Sequence, residues 1–138
     1  MEYRIDLSKT NYKELDYVLL DYKNFPLLER IYNVYAEYKN FQSNFPLFPE
    51  EILNPYTEIL GYYDTDRNIS AFSLIYLYPS RHSARAEQFA WTYSNPRDKL
   101  GYKSLRSECA RYKRLGYRYL YVGEWSKYKA ELQGFEKA

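Results

Sequence analysis

The hydrophobic pattern is clearest over residues 100–125, which read LGYKSLRSECARYKRLGYRYLYVGEW. Apolar residues recur in the first half of this segment every three or four positions, which predicts a helix with one buried face. The residues of that face are Tyr102, Leu105, Cys109 and Tyr112. Gly116 follows, where the end of a helix favours a residue that can adopt a left-handed conformation. Residues 117–122 then alternate and predict a strand whose far end, at Gly123, is open to a ligand.

Helical spacing also occurs in the first third of the chain. It predicts one helix over Asn11–Lys23 and a second helix from Leu28 to about Phe41. Residues 44–56 contain three prolines, and this stretch predicts a loop with one helical turn near Glu50–Leu53.

Four further segments favour strands because their apolar residues alternate or run together. These segments are Tyr3–Leu7, Thr57–Tyr63, Ile69–Tyr78 and Arg85–Tyr93. The first is predicted as an edge strand, and the last three as antiparallel neighbours. One face of the last strand is predicted to carry Glu87, Phe89, Trp91 and Tyr93. The fold class is therefore α/β, an α+β sandwich, with a single domain over residues 1–138.

Composition excludes several classes of protein. A net charge of +2 is too mild to require nucleic acid or an anionic membrane, although an RNA partner stays open. One cysteine cannot form an internal disulfide, and one cysteine with one histidine cannot make a zinc site without carboxylates, so we expect a reducing compartment and no metal. The sequence lacks a bilayer-spanning run and a signal peptide. These features predict a soluble, cytoplasmic protein with no membrane partner.

Tyrosine is over-represented, with 19 residues of 138. Tyrosine can fill a core while its hydroxyl reaches water or a partner, and an even spread along the chain favours this structural interpretation. The other interpretation is an aromatic surface that stacks on bases or holds a partner.

The order of elements resembles the GNAT acyltransferase superfamily. The C-terminal half is similar, more narrowly, to the C-terminal domain of arginyl- and leucyl-tRNA–protein transferases. The segments that carry the resemblance are Asn95-Pro96, Leu100-Gly101-Tyr102, Leu115-Gly116, residues 119–125 and Tyr128-Lys129-Ala130. The resemblance implies a GNAT-like mixed sheet. It also implies transfer of an acyl or aminoacyl group, from a thioester or an aminoacyl-tRNA, to an amine on a protein, peptide or small molecule.

The chain also departs from those transferases. It lacks their cysteine-bearing N-terminal half, and the segment from Gly123 to Tyr128 is shorter and lacks their cysteine. Little length follows Phe135 for the last two strands of a GNAT domain. Because an unpaired sheet edge is usually covered or used for assembly, a homodimer is expected. A non-catalytic binding or assembly module that keeps the same fold without a donor site is the alternative.

The resemblance places the donor where two strands separate, with its phosphates at the start of the following helix, because a helix start offers free amides. Here that start is Arg97 to Tyr102, which has one glycine and an acidic residue, Asp98, that would repel an anion or cap the helix. An aminoacyl-tRNA 3′ end therefore fits better than a coenzyme A pyrophosphate. The predicted donor-binding residues are Trp91, Tyr93, Lys99, Gly101, Tyr102 and Trp125.

Acyl transfer to an amine needs a base and a proton donor for the leaving group. Glu87 is a candidate base, with the alternative that it is a solvated carboxylate or pairs with an arginine. Glu124 follows a strand end, where ligand-binding residues of α/β sheets gather. The resemblance places Tyr128 where a proton-donating tyrosine is expected, although any one tyrosine among 19 can be structural.

Three other features have structural interpretations beside functional ones. Cys109 lies on the buried face of the predicted helix, which favours packing over nucleophilic chemistry. His82 lies in a predicted turn and is expected to be exposed. The densest basic stretch could bind RNA phosphates or complement the dipole at a helix end. Its members are Arg111, Lys113, Arg114 and Arg118.

Overall fold

A computed structural model describes residues 1–39 and 49–138, and these residues form seven strands and four α-helices. The strands are β1 (Tyr3–Asp6), β2 (Tyr17–Leu20), β3 (Thr57–Tyr63), β4 (Ile69–Tyr78), β5 (Ser83–Trp91), β6 (Tyr119–Gly123) and β7 (Phe135–Lys137). The helices are α1 (Phe25–Lys39), α2 (Pro49–Leu53), α3 (Leu100–Arg114) and α4 (Lys127–Ala130). None of the described helices is both long and apolar enough to cross a bilayer.

All seven strands belong to one sheet with the order β2-β3-β4-β5-β6-β1-β7. Neighbouring strands are antiparallel except β5 and β6, which are parallel. This parallel pairing covers only three residue pairs and stops at Arg85 and Tyr121. Beyond that point β5 continues for six residues, to Trp91, without β6 beside it. The sheet therefore opens between its central strands.

Helices cover both faces of the sheet. On one face, α3 packs over the centre through a cluster that includes Leu105, Cys109 and Tyr112, all buried. On the other face, α1 and α2 pack through a cluster that includes Leu28, Ile31 and Ile52. The strand residues of this second cluster come from β3, β4 and β5. The described residues thus form three layers over β3 to β5.

The fold class is confirmed, and so is most of the strand pattern. β3 and β4 have the predicted bounds, and α3 ends at Arg114, just before Gly116, which has the expected positive φ of 91°. Tyr102 is an exception on the predicted buried face of α3, because 42% of its surface is exposed. Residues 40 and 41, the predicted end of the second helix, lie outside the described residues.

The helix predicted over Asn11–Lys23 is wrong. Tyr17–Leu20 instead forms β2, which pairs antiparallel with β3 at the edge of the sheet. Leu19, an apolar residue within that predicted helix, is 56% exposed. Pairing with β3 satisfies the backbone hydrogen-bonding groups of β2. This tertiary contact outweighs the helical spacing of the apolar residues, because four residues are too few to distinguish a helix from a strand.

The N-terminal strand is not an edge strand, because β1 lies between β6 and β7. β7 reaches β1 through a turn at Gly134, whose φ is +72° and whose carbonyl accepts the amide of Asp6 at 2.9 Å. A side chain at Gly134 would collide with the backbone oxygen of Asp6. The outer edge of β6 is therefore paired within the chain, and the edge strands of the sheet are β2 and β7. The homodimer stays a prediction.

Candidate active site

A cavity of about 240 Å³ lies where β5 and β6 stop pairing. It is lined by residues from both strands, from the α1 and α3 helices and from the segment after β6. The lining residues are Tyr35, Ser73, Ala86, Glu87, Gln88, Phe89, Gly101, Ser104, Leu105, Glu108, Val122, Tyr128 and Lys129. The opening in the sheet therefore provides a concave site between the two helical layers.

A β-bulge in β5 shapes one wall of the cavity. Leu74 pairs with Gln88 and Ile75 pairs with Ala86, so Glu87 has no cross-strand partner. A bulge bends its strand and changes which side chains share a face. The predicted alternation through Glu87, Phe89 and beyond is therefore interrupted, and Glu87 lies exposed at the cavity wall.

The start of α3 forms another part of the wall, through Gly101. The residue before the helix, Lys99, has a left-handed backbone with φ 51°, and its side chain does not cap the helix. Asp98 does not cap it either, because its carboxylate accepts the amide and the hydroxyl of Thr65. The interpretation of Asp98 as a helix cap is therefore wrong. Asp98 instead ties the β3–β4 turn to the start of α3, and these hydrogen bonds lower its pKa.

The buried acid of the cavity is Glu108, which is only 2% exposed. Its Oε2 accepts the hydroxyl of Tyr62 at 2.6 Å and the hydroxyl of Ser73 at 2.7 Å. Burial raises the pKa of Glu108 to about 7, although both hydrogen bonds act in the opposite direction. A carboxyl with this pKa can accept or release a proton at neutral pH.

Sequence reasoning missed Glu108, but the sequence contains a signal for it. Glu108 lies three residues after Leu105 and four before Tyr112, so it falls within the buried stripe of α3. An acidic residue on an apolar helix face is rarely buried without partners. Its partners, Tyr62 and Ser73, lie on β3 and β4 and are brought to it only by the fold.

Tyr128 and Lys129 line the cavity from the short helix after β6. Burial is the main cause that raises the pKa of Tyr128, and the charge of Glu108 adds to it. The ammonium of Lys129 donates to the carbonyls of Val122 at 2.7 Å and Glu124 at 3.3 Å, and burial lowers its pKa. Lys129 thus fixes the chain as it leaves β6.

Three of the nine predicted site residues line the cavity, namely Glu87, Gly101 and Tyr128. The other six described residues do not line it. These are Trp91, Tyr93, Lys99, Tyr102, Glu124 and Trp125. The roles assigned to all nine residues stay predictions.

Trp91 and Tyr93 instead belong to an aromatic stack against α1. The Tyr93 ring stacks on Tyr38 at 3.7 Å and on Tyr35 at 6.0 Å between ring centroids, and Trp91 is tilted on Tyr93 at 4.3 Å. Since Tyr35 lines the cavity, this stack supports one wall from behind.

The basic stretch at the end of α3 and just before β6 is occupied by contacts within the chain. Arg111 pairs with Glu58, Arg114 with Glu14 and Arg118 with Asp6. The ammonium of Lys113 donates to the carbonyl of Thr10. These partners come from the N-terminal segments and β3, so the stretch anchors those segments to α3.

Cys109 and His82 have the environments expected of structural residues. Cys109 is fully buried, and burial raises its thiol pKa to about 12, which disfavours a nucleophilic thiolate. His82 is exposed in the turn before β5, where it has a left-handed backbone with φ 50°.

No family model matches the sequence, and no curated protein matches it. Solved structures do match. One, described as the C-terminal domain of a lysylphosphatidylglycerol synthetase from Agrobacterium fabrum, gives a TM-score of 0.69 at 14% identity over 88% of this chain and 45% of that chain. This chain has a GNAT-like fold.

Two acetyltransferases match in the same way. One of the GNAT family from Novosphingobium aromaticivorans gives a TM-score of 0.65 at 15% identity over 99% of this chain and 59% of that chain. An aminoglycoside acetyltransferase from an uncultured soil sample, in complex with sisomicin, gives a TM-score of 0.62 at 12% identity over 81% of this chain and 78% of that chain. The resemblance to GNAT proteins is thus confirmed for the fold, and the chain spans less than half of the synthetase structure.

Proposed function

We propose that this protein is an acyl or aminoacyl transferase that moves its group from an activated ester or thioester to an amine. The observation that carries the proposal is a buried carboxyl, Glu108, with a pKa of about 7, in the cavity where β5 and β6 separate. The GNAT-like fold supports it, because the solved structures of this fold include acetyltransferases.

In this reaction the amine nitrogen attacks the acyl carbonyl carbon and forms a C–N bond. Glu108 accepts the proton that the amine nitrogen loses, since its ionised form is available near neutral pH. The C–S or C–O bond to the donor then breaks, and Tyr128 gives its hydroxyl proton to the leaving sulfur or oxygen. Proton exchange with solvent afterwards restores Glu108 to its charged form and Tyr128 to its neutral form.

Glu87 has a different place in this scheme from the one that the sequence suggested. It lies exposed at the cavity wall, whereas Glu108 is almost completely buried. A desolvated carboxyl is the better base for an amine, because its charged form is less stabilised by water. We assign Glu87 to contact with the incoming amine, whose positive charge it would attract.

An aminoacyl ester at the 3′ end of an RNA is the donor that the start of α3 supports best. A coenzyme A pyrophosphate would lie near the Asp98 carboxylate, which like-charge repulsion disfavours. The narrower resemblance to arginyl- and leucyl-tRNA–protein transferases agrees with this choice. An acyl-CoA donor is the competing choice within the same reaction class.

A binding module that has lost catalysis is the second candidate. The contact of Lys129 with the carbonyls of Val122 and Glu124 favours it, because this contact occupies backbone acceptors at the opening of the sheet. Such a module would keep the fold, lack a donor site and have no turnover.

Ligand-induced stabilisation separates these possibilities. Thermal unfolding is measured with acetyl-CoA, longer acyl-CoAs and aminoacylated RNA minihelices. A donor at one hundred times its Kd should add about 2.7 kcal/mol to the free energy of unfolding. Transfer to a panel of amines is then followed by mass spectrometry. Stabilisation followed by transfer supports the transferase. Stabilisation without transfer contradicts it, and no stabilisation by any donor supports the binding module.

The role of Tyr128 is tested by replacing it with phenylalanine. Tyr128→Phe keeps the ring and removes the hydroxyl, so kcat should fall by roughly a hundredfold while donor affinity stays unchanged. The matched control is Tyr56→Phe, which alters an exposed tyrosine outside the cavity lining. Equal kcat in the two variants would make Tyr128 a structural residue.

A further inference from the structure

The α1 and α2 helices cover one face of the sheet over β3 to β5. The same face continues over β6, β1 and β7, where the described residues form no apolar cluster. Along these strands Ile5, Leu120 and Val122 point to the α3 side. Because side chains alternate along a strand, their neighbours Arg4, Tyr119 and Tyr121 lie on the opposite face. We call this surface the Arg–Tyr face; it comprises Arg4, Tyr78, Arg81, Arg85, Tyr119 and Tyr121.

Guanidinium groups and tyrosine rings alternate across this face. Arg4 lies 3.8 Å from the centroid of the Tyr119 ring and 6.0 Å from that of Tyr121. Arg85 lies 6.0 Å from the Tyr121 ring. Such contacts hold the cations and rings in place before any ligand binds, which lowers the entropic cost of binding.

A recess of about 490 Å³ lies within the Arg–Tyr face and is lined by Tyr78, Arg81, Arg85, Tyr119 and Tyr121, together with Glu2. It is about twice the volume of the cavity between β5 and β6. Tyr78 is 38% exposed at its rim. The recess therefore combines aromatic surface with cationic groups, the pair of features that single-stranded nucleic acids require.

Arg81 is the cation of this recess that has no carboxylate partner among the described residues. Arg85 pairs with Glu2 at 2.7 Å, and Arg4 pairs with Glu136 at 2.9 Å. A phosphate can bind Arg81 directly, whereas binding at Arg85 competes with the Glu2 carboxylate. Glu2 thus gives the recess a built-in anionic competitor.

We propose that the Arg–Tyr face binds single-stranded RNA, with bases stacked on the tyrosines and phosphates bound by Arg81 and Arg85. The acyl transfer proposed above is not required for this binding. The surface also meets the cavity: Arg85 and Tyr121 are the last paired residues of β5 and β6, and the next residues, Ala86 and Val122, line the cavity. An RNA on this face could therefore place its end at the opening.

The first test measures binding of a fluorescein-labelled single-stranded RNA hexamer by anisotropy, over a series of salt concentrations. Tyr78→Ala should weaken binding by about tenfold, the scale of one stacked base. Arg81→Gln should reduce the slope of log K against log salt by about 0.7, the value for one phosphate of a single strand. The matched controls are Tyr22→Ala and Arg30→Gln, which alter an exposed tyrosine and an exposed arginine elsewhere.

Glu2→Gln provides a test in the opposite direction. It removes the carboxylate that competes for Arg85, so RNA affinity should increase at low salt. The gain should disappear near 1 M salt, where charges are screened beyond about 3 Å. An increase in RNA affinity also shows that the effect of the substitution is not due to misfolding, because a misfolded variant would not bind RNA more tightly.

Three results of the binding measurements would each overturn the proposal. These are no RNA binding, equal loss of binding in the face variants and their controls, or unchanged affinity in all face variants. Binding of poly-glutamate or an RNA duplex as tightly as the hexamer would also overturn it, because neither offers free bases to the tyrosines. Sedimentation at each protein concentration detects a dimer, and a dimer that Tyr78→Ala disrupts would overturn the proposal too. Transfer activity is measured separately, so failure of one proposal does not affect the other.

Discussion

Two polar clusters lie one helical turn apart on the buried side of α3, and each surrounds a glutamate with different hydrogen-bond partners. In the cavity, Glu108 accepts hydrogen bonds from two neutral hydroxyls, Tyr62 and Ser73. One turn later, Glu58 of β3 receives two hydrogen bonds from Arg111, at 2.8 and 3.3 Å, and one from the Tyr112 hydroxyl at 2.8 Å. Among the described residues the first carboxyl has no cation beside it, whereas the second has a guanidinium.

This difference decides what each carboxyl can do. Two hydroxyls do not offset the desolvation of Glu108, so its pKa rises to about 7 and its proton becomes exchangeable at neutral pH. The Arg111 side chain is 9% exposed and that of Glu58 is 22% exposed, and their opposite charges compensate each other. The same helix therefore carries a reactive acid and a structural ion pair.

The largest expected effect is on catalysis, from Glu108→Gln. The amide keeps the size of the side chain and cannot accept the amine proton, so kcat should fall by roughly a hundredfold or more. The measurement is transfer rate against pH at saturating donor. Glu58→Gln is the matched control, since it changes the other glutamate of the comparison, and it should keep the rate within a fewfold. Equal rates in wild type and Glu108→Gln would remove Glu108 from the reaction.

The second effect is on stability, from Arg111→Met. Methionine keeps the apolar length and leaves Glu58 partly buried without its cation, which should cost about 3 kcal/mol of unfolding free energy. Denaturant unfolding measures this loss, and donor affinity should not change, because Arg111 does not line the cavity. The double variant Arg111→Met with Glu58→Leu should recover most of the loss. Loss of donor binding in the single variant would show that the two clusters are coupled.

The third prediction concerns the pH dependence of stability. Folding raises the pKa of Glu108 from 4.5 to about 7. The contribution of Glu108 to the free energy of unfolding is therefore fully present below about pH 4.5 and is lost as pH rises through 7. The full change is about 3 kcal/mol for a shift of this size. Folding lowers the pKa of two other carboxyls, Asp6 and Glu14, so their pH dependence has the opposite sign. Their contributions to the free energy of unfolding are lost as pH falls below about 4.5.

The window from pH 5 to 8 therefore isolates Glu108. Unfolding free energy measured there should fall as pH rises in the wild type and should stay nearly constant in Glu108→Gln. A wild-type profile that is flat or that rises with pH would show that Glu108 is ionised in the folded protein throughout this range.

The smallest effect is expected from Tyr62→Phe. It removes one hydrogen bond to Glu108, which should cost about 1 kcal/mol of stability. Because that hydrogen bond lowers the pKa of Glu108, its loss should shift the acidic limb of the rate–pH profile to higher pH. Tyr17→Phe is the counterpart in the other cluster, where the hydroxyl accepts from Arg111 at 2.8 Å, and it should leave that limb in place. A shift of equal size in both variants would contradict the distinction between the clusters.

Much of the fold was predictable because local patterns and tertiary contacts agree. β3, β4 and α3 have continuous or periodic apolar residues, and each is buried as its pattern indicates. β2 was not predictable, because its four residues fit a helical stripe as well as a strand, and only β3 supplies the partner that decides. The place of β1 between β6 and β7 likewise depends on strands that are more than 100 residues away in the sequence.

The sequence predicted part of the cavity wall but not the buried carboxyl within it. The sequence placed Gly101 and Tyr128 near an open strand end, and both line the cavity. It did not identify Glu108, because a position on the buried stripe of α3 does not show which side chains of other elements will contact it. The bulge that isolates Glu87 was also hidden, since it arises from the register of β4 against β5.

By itself, the sequence determined the strands of the central sheet, the long helix α3 and its glycine stop, since these follow from local periodicity and backbone freedom. Only the tertiary structure decided where β5 and β6 separate and which carboxyl is buried there. The physical reason is that a pKa depends on desolvation and on neighbouring charges. Glu108 lies 46 residues from Tyr62 and 35 residues from Ser73 along the sequence. Folding alone brings them to the same oxygen atom.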